Sequence, residues 1–168
     1  AVLSAIDGEL SNIINKGVWK YVSLKDFPGI HCLKDVTPKP IPSLLDVKQK
    51  YDGFGKFLKW KARFCAGGHR QNRDDYNEEE LTSPCVLLES IFSIIGFAAE
   101  WGAGVTVMDI GQAYLEANLA EHDVVHMWLG KDAVQSLSRI DPDIKDFINA
   151  DGRVLVKLLK ALYGTIQA

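Results

Sequence analysis

Between Leu45 and Ala66 the side chains alternate twice, and no other stretch constrains the fold as strongly. Leu45-Asp46-Val47-Lys48-Gln49-Lys50-Tyr51 reads as one strand, Asp52-Gly53-Phe54-Gly55 as a turn, and Lys56 to Ala66 as a second strand. Period-two alternation on both sides of a glycine-containing turn predicts a β-hairpin. In the second strand Lys59, Lys61 and Arg63 share one face, and Leu58, Trp60, Ala62 and Phe64 share the other. Charge is concentrated in the same place. Residues 48–73 carry eight Lys or Arg (Lys48, Lys50, Lys56, Lys59, Lys61, Arg63, Arg70, Arg73) against one acid, Asp52. The segment is therefore +7 in a chain of net charge −3, which leaves −10 for the remainder. The global balance argues against nucleic acid; its distribution argues the other way.

The 168 residues are 47% hydrophobic and 24% charged, enough for one sizeable domain or two small subdomains. A disordered tail, a collagenous repeat and a disulfide-stapled miniprotein are excluded. Cys32, Cys65 and Cys85 lie far apart with no Cys-x-x-Cys pair, which fits a reducing compartment. No basic-then-apolar signal opens the chain. The most apolar run, Val86 to Ala99, has 14 residues including Glu89, too short for a bilayer, and reads as a buried helix. The chain reads as soluble, and as a piece of something longer.

Leu3, Ile6, Leu10, Ile13 and Ile14 predict a helix within residues 1–20, stopped by Asn15-Lys16-Gly17. Residues 26–43 read as loop and candidate linker, because four of the six prolines fall there. After the hairpin comes an acidic loop with Asp74, Asp75, Glu78, Glu79 and Glu80. Ser83-Pro84 has the chemistry of an N-cap and first helical residue, for a helix running to Ala99 and ended by Gly102 and Gly104. Leu87, Leu88, Ile91, Ile94, Ile95 and Ala98 would give it a core-facing side. A strand Val105–Met108 is expected next, finishing at Asp109. Residues 111–120 look helical, 124–129 strand-like, and 131–149 like two short helical pieces. Asp151-Gly152 makes a turn before a strand over 154–158, and a turn containing Gly164 follows. Helices and strands without strict alternation indicate an α+β fold.

Two places carry chemistry. A β-ribbon with three cations on one face forms a track of positive potential suited to phosphates. Arg63 can grip a phosphate through two parallel hydrogen bonds, whereas lysine contributes a point charge. The alternative is a solvated strand face. The second place is Asp109, a carboxylate at the end of an apolar strand. Mg²⁺ takes one or two protein carboxylates and completes its shell with substrate phosphates and water, and amides of a helix-opening turn can bind the same phosphates. The alternative is a simple helix cap. Cys65, His69, Cys85, His122 and His126 match no common zinc spacing, and His122 and His126 read as solvated or packed. Trp19, Trp60, Trp101 and Trp128 read mainly as core, with base stacking the alternative.

The chain resembles the reverse transcriptase domain of copia-type LTR retrotransposon polyproteins. The resemblance rests on Lys59-Trp60-Lys61-Ala62-Arg63-Phe64-Cys65-Ala66-Gly67-Gly68-His69-Arg70-Gln71, Ser83-Pro84-Cys85-Val86, Met108-Asp109-Ile110-Gly111-Gln112-Ala113-Tyr114-Leu115 and Leu159-Lys160-Ala161-Leu162-Tyr163-Gly164-Thr165-Ile166-Gln167, in family order. It implies a partial right-hand polymerase. Residues 1–43 would be an N-terminal helix and proline-rich lead-in, 44–100 a fingers-like basic hairpin and helix, and 101–168 a partial palm. Asp109 would be the catalytic, metal-binding aspartate. Lys61, Arg63, Gln112, Ala113, Tyr114, Gly164 and Gln167 would bind the nucleotide, with Tyr114 rejecting a 2′-hydroxyl. Lys48, Lys50, Lys59, Arg70 and Arg73 would bind nucleic acid. The implied cofactor is Mg²⁺ or Mn²⁺. The implied partners are an RNA or DNA template-primer, dNTPs, and the rest of the polyprotein with its remaining palm and RNase H; no membrane is involved. The implied location is intracellular, in cytoplasmic virus-like particles with the nucleus as a second compartment.

Departures accompany the resemblance. The family's Tyr-x-Asp-Asp motif lies beyond the point corresponding to Ala168, and no Asp-Asp pair follows Asp109. Phe64-Cys65 stands where the family usually has Leu-Val, and Cys85 where Thr is common; all are expected at buried positions. Three functions stay open: a polymerase fragment inactive alone, a nucleic-acid-binding remnant, and an inert transposon relic.

Overall fold

Helix α1 (Val2–Asn15) lays Ile6, Leu10 and Ile13 along one buried stripe. It ends in a Schellman motif: the Gly17 N–H donates to the Ile14 carbonyl at 2.8 Å and the Val18 N–H to Ile13 at 3.3 Å. Gly17 sits at φ +62°, which glycine adopts without a Cβ penalty. The stop expected at Asn15-Lys16-Gly17 is borne out. It turns the chain into β1 (Trp19–Val22), a four-residue strand too short for alternation to announce.

The computed structural model describes residues 1–23, 25, 39–76 and 85–166. They form two compact units, residues 1–71 with 114–168, and residues 72–113. The first unit is built on a five-stranded mixed sheet in the order β1-β5-β4-β2-β3. Its other strands are β2 (Ile41–Tyr51), β3 (Phe57–Ala66), β4 (His126–Leu129) and β5 (Val154–Leu158). β2 runs parallel to β4, and the remaining pairs are antiparallel. The α+β class is borne out, as is the hairpin. β2 starts earlier than expected, however, at Ile41 within the presumed loop. Pro42 is tolerated there because it lacks only a donor; its carbonyl accepts from the Gly67 N–H at 2.7 Å. Most of the expected loop, residues 26–38, lies outside the described residues.

β5 is a central strand, and Val154, Leu155, Val156 and Leu158 are all buried. One face joins the main core with α1, Phe64, Met127 and helix α3 (Lys131–Ile140), which buries Ala133, Val134 and Leu137. On the other face Leu155 packs with Val22 and half-buried Trp128. An Arg139–Asp7 ion pair at 2.7 Å ties α3 to α1. The expected second helical piece is a 3-10 turn over Pro142–Phe147. Tyr21 stacks on Phe147 at 5.3 Å and donates to Asp141 at 2.7 Å; burial and that carboxylate push its hydroxyl pKa up. The tryptophans diverge from a shared core role. Trp19 is buried against Phe64 at 5.7 Å, Trp128 lies under the Arg153 guanidinium at 5.0 Å, and Trp101 is exposed.

The second unit corrects several expectations. Helix α2 (Leu88–Glu100) forms, with Leu87 as N-cap. It therefore begins after Ser83-Pro84, and those two residues lie outside the described ones. Its end at Gly102 is borne out, with the Ala103 N–H bonded to the Ala98 carbonyl at 2.8 Å. The expected burial is not: Leu87, Leu88 and Ile94 are each 60% or more exposed. Cys85 is likewise exposed rather than buried. Val105–Met108 forms no strand. A strand needs a neighbour to take its backbone hydrogen bonds, and no described strand pairs with this segment. The helix expected over 111–120 reduces to one 3-10 turn, Ala113–Glu116, after which Asn118 bridges to Lys160. Of the acidic loop, Asp74 sits in a 3-10 turn capped by Asn72, and residues 77–84 lie outside the described ones. Among the described residues no helix is long and apolar enough to cross a membrane.

His126 is buried in β4. Burial first, then the charges of Lys157 and Lys20, hold its imidazole below the ordinary 6.5. The unfolded chain therefore binds the extra proton more readily, so stability is full above about pH 6.5 and falls as the pH drops below it. Urea titrations at a series of pH values should show this acid limb, and His126→Leu should make it shallower. An unchanged limb in the variant would remove His126 from the explanation.

Candidate nucleic-acid interface

The hairpin changes character along its length. At its base Ile41, Ala62, Phe64 and Ala66 are buried; from Lys48 onward β2 is exposed and pairs only with β3. The distal part stands clear of the core. Antiparallel register sets Lys48 opposite Lys61, Lys50 opposite Lys59, and Asp46 opposite Arg63. Directly opposed residues project from the same face, so five cations and one acid share it. Like charges in opposed positions are destabilising. The Asp46–Lys48 pair at 3.0 Å is solvent-exposed and offsets little of this. Lys48, Lys50, Lys61 and Arg63 line a half-open cavity of about 360 Å³, together with Asp46 and Gln49. The shared face of Lys59, Lys61 and Arg63 is borne out, and Asp46 is an addition, since it lies just outside the basic segment.

Asp52, the acid within that segment, is engaged with backbone amides. Its carboxylate accepts from the Phe54 and Lys56 N–H groups, both at 2.9 Å, and holds the tip turn, where Gly55 takes φ +80°. Cys65, half-buried in β3, has its thiol pKa raised by burial, an effect that Arg63 opposes.

The base of the ribbon is locked to the segment around Gly164. The Ala66 N–H donates to the Tyr163 carbonyl at 2.7 Å. A Cβ on Gly68 would lie 1.9 Å from the Gly164 carbonyl oxygen, and one on Gly164 would lie 2.3 Å from that of Ala66. Gly164 also holds φ +88°. The Gln71 side-chain oxygen accepts from the Ile166 N–H at 2.9 Å. Tyr163 meets the ring of Tyr114 edge-on, with centroids 5.2 Å apart. Lys61, Arg63, Gly164 and Tyr114 thus belong to one continuous piece of the first unit. This junction was not read from the sequence; the signal available was Gly67-Gly68, since glycine in a strand marks close backbone approach.

The other candidates lie elsewhere. Arg70 is exposed in a 3-10 turn, Gly68–Arg70. Arg73, Asp109, Gln112 and Ala113 belong to the second unit, where Arg73, Asp109 and Ala113 are exposed. Gln112 is half-buried at φ +58°, the one described non-glycine residue in the left-handed region. Gln167 lies outside the described residues. Two-metal phosphoryl transfer needs a cluster of carboxylates. Among the described residues no three His, Cys, Asp or Glu side chains gather to hold a metal ion, and Asp109 alone does not fit that requirement.

The family model described as "Reverse transcriptase (RNA-dependent DNA polymerase)" matches residues 30–168. Among curated relatives, the retrovirus-related Pol polyprotein from transposon RE2 of Arabidopsis thaliana is 29% identical over 80% of this chain and 8% of its own length. That from transposon TNT 1-94 of Nicotiana tabacum is 25% identical over 99% of this chain and 11% of its own length. That from transposon RE1 of Arabidopsis thaliana is 31% identical over 71% of this chain and 7% of its own length. The chain thus spans about a tenth of the relatives it matches. No solved structure matches. The resemblance to copia-type reverse transcriptases is borne out.

Gly68→Ala tests the junction. A methyl placed 1.9 Å from a backbone carbonyl must displace the chain, and the expected loss is about 2–4 kcal/mol in urea unfolding. Gly8→Ala, where nothing lies within 4 Å, should be neutral or slightly stabilising. Equal effects of the two changes would refute the close approach.

Proposed function

The chain belongs to the reverse transcriptase (RNA-dependent DNA polymerase) family, and we propose that it is the template- and dNTP-binding part of a copia-type retrotransposon polymerase, comprising fingers and the start of the palm. The observation that carries this reading is the face on which Lys48 opposes Lys61 and Lys50 opposes Lys59. Such opposition is unfavourable in the free protein and becomes favourable when phosphates lie between the cations. Lys61 and Arg63 are assigned to the triphosphate, and Lys48, Lys50, Lys59, Arg70 and Arg73 to the template-primer backbone. Tyr114 is assigned to sugar selection: a ring against the 2′ carbon leaves no room for an oxygen. Its edge contact with Tyr163 supports this, since a steric gate must be rigid. The positive φ of Gln112 supports a role for the amides of Gln112 and Ala113, because backbone strain of this kind gathers at ligand clamps. Gly164 and Gln167 are assigned to the border of the nascent base pair, and Asp109 to the first palm carboxylate.

Primer extension, in which the primer 3′-hydroxyl attacks the dNTP α-phosphate and expels pyrophosphate, is then a property of the larger polyprotein. That the chain spans about a tenth of the polyproteins it matches supports that division. A second reading is a catalytically inert nucleic-acid-binding remnant. Both readings share the ribbon's affinity for phosphates.

Two measurements follow. Binding of the chain to a primer-template should weaken steeply with salt, and Lys59→Ala, Lys61→Ala and Arg63→Ala together should flatten the log–log slope by about two to three. An unchanged slope would take the ribbon out of the interface. The purified chain should incorporate no dNTP with Mg²⁺; template-dependent incorporation abolished by Asp109→Asn would overturn the assignment of activity to the larger polyprotein.

A further inference from the structure

On the reverse side of the basic ribbon three aromatic rings touch in series. Tyr51 meets Phe57 at 6.0 Å and 79°, and Phe57 meets Trp60 at 6.0 Å and 63°. Strand alternation puts Trp60 on the face opposite Lys59 and Lys61. The Tyr51 hydroxyl donates to Gln49, which is paired across the ribbon with Trp60. A register shift between Lys50 and Tyr51 skips Leu58 and sets Phe57 opposite Tyr51. Such a bulge re-aims a side chain, and here it closes the row of rings.

These rings do not belong to the core clusters. Tyr51 is 50% and Phe57 45% exposed, on the distal part of the hairpin beyond any described packing element. Among the described residues β3 is the last strand in the sheet order, so a ligand lying along its outer edge reaches both faces at once. One face offers cations and the other π-faces. A single-stranded nucleic acid combines the complementary groups, phosphates on one side and unpaired bases on the other. A duplex keeps its bases stacked within and has nothing to give the rings.

We propose that Tyr51, Phe57 and Trp60 form a base-stacking platform that holds unpaired nucleotides against the ribbon while its cations hold their phosphates. This rests on the reading of the ribbon as a phosphate-binding surface. Base–aromatic stacking is sequence-tolerant because every base has a π-face. The platform would therefore accept any template sequence.

The test compares fluorescein-labelled oligo(dT) with an abasic oligomer of equal length and equal phosphate count, by anisotropy with the full chain. The wild-type protein should bind oligo(dT) about tenfold more tightly than the abasic oligomer. Phe57→Ala and Tyr51→Ala should each remove much of that difference by weakening oligo(dT) alone, and Phe57→Trp should retain it. Lys59→Ala with Lys61→Ala should weaken both oligomers alike. Equal wild-type affinity for the two oligomers overturns the platform, needs no variant to fold, and leaves the phosphate-binding reading standing. No wild-type binding to either oligomer overturns both.

Discussion

The first unit depends on a backbone contact that only glycine permits. Gly68 and Gly164 bring two chain segments so close that a Cβ on either would collide with a carbonyl. The consequences reach outward from that point. β3 is anchored at Ala66 through the Tyr163 carbonyl, and Gln71 holds Ile166 on the far side. Tyr163 in turn supports Tyr114. A hairpin fixed only at its turn would pivot about its base; here its base is clamped while its tip stays exposed. That is the mechanical arrangement expected of an element that must present charge to a ligand without being buried by it.

The ribbon itself is graded. Its base spends its alternating residues on the core, with Ala62 and Phe64 inward and Arg63 outward. Further out no core exists; alternation sets Trp60 apart from the cations, and the register shift between Lys50 and Tyr51 brings Phe57 to the side of Trp60. Period two with one bulge thus yields a packed sheet at one end and a two-faced surface at the other. The tip is held by Asp52, whose carboxylate is engaged with backbone amides rather than with lysines. The ribbon stays positive because eight Lys or Arg in residues 48–73 outnumber this one acid.

The hairpin was legible because both its turn and its alternation are local. So were α1, with its Gly17 stop, and the apolar run of β5. What escaped was whatever depends on a distant partner. The Leu88, Ile91, Ile94 and Ile95 side of α2 has the spacing of a core face, but spacing cannot supply the surface that would cover it. Val105–Met108 has strand composition, yet β-structure is made by pairing, and no described strand pairs with it. Gly67-Gly68 could be seen as a doublet, whereas its mate Gly164 could be found only in three dimensions. For the candidate site, the cation face was readable from alternation, but the opposition of Lys48 to Lys61 needs the register. The Tyr51–Phe57–Trp60 row needs a bulge that nothing in the sequence advertises.

Opposed lysines are an unusual choice for a strand pair, and their cost explains their use. Each like-charged pair raises the free energy of the unliganded ribbon, and water and salt screen only the part that faces bulk solvent. A phosphate inserted between two such side chains removes repulsion and adds attraction in one step, so the penalty carried by the free state reappears as binding affinity. A ribbon with alternating Lys and Glu would be more stable alone and would have nothing to gain from a polyanion. The buried base and the glycine junction make the arrangement tolerable, because stability concentrated in Phe64, Leu10, Ile13 and their neighbours allows the tip to remain locally unfavourable.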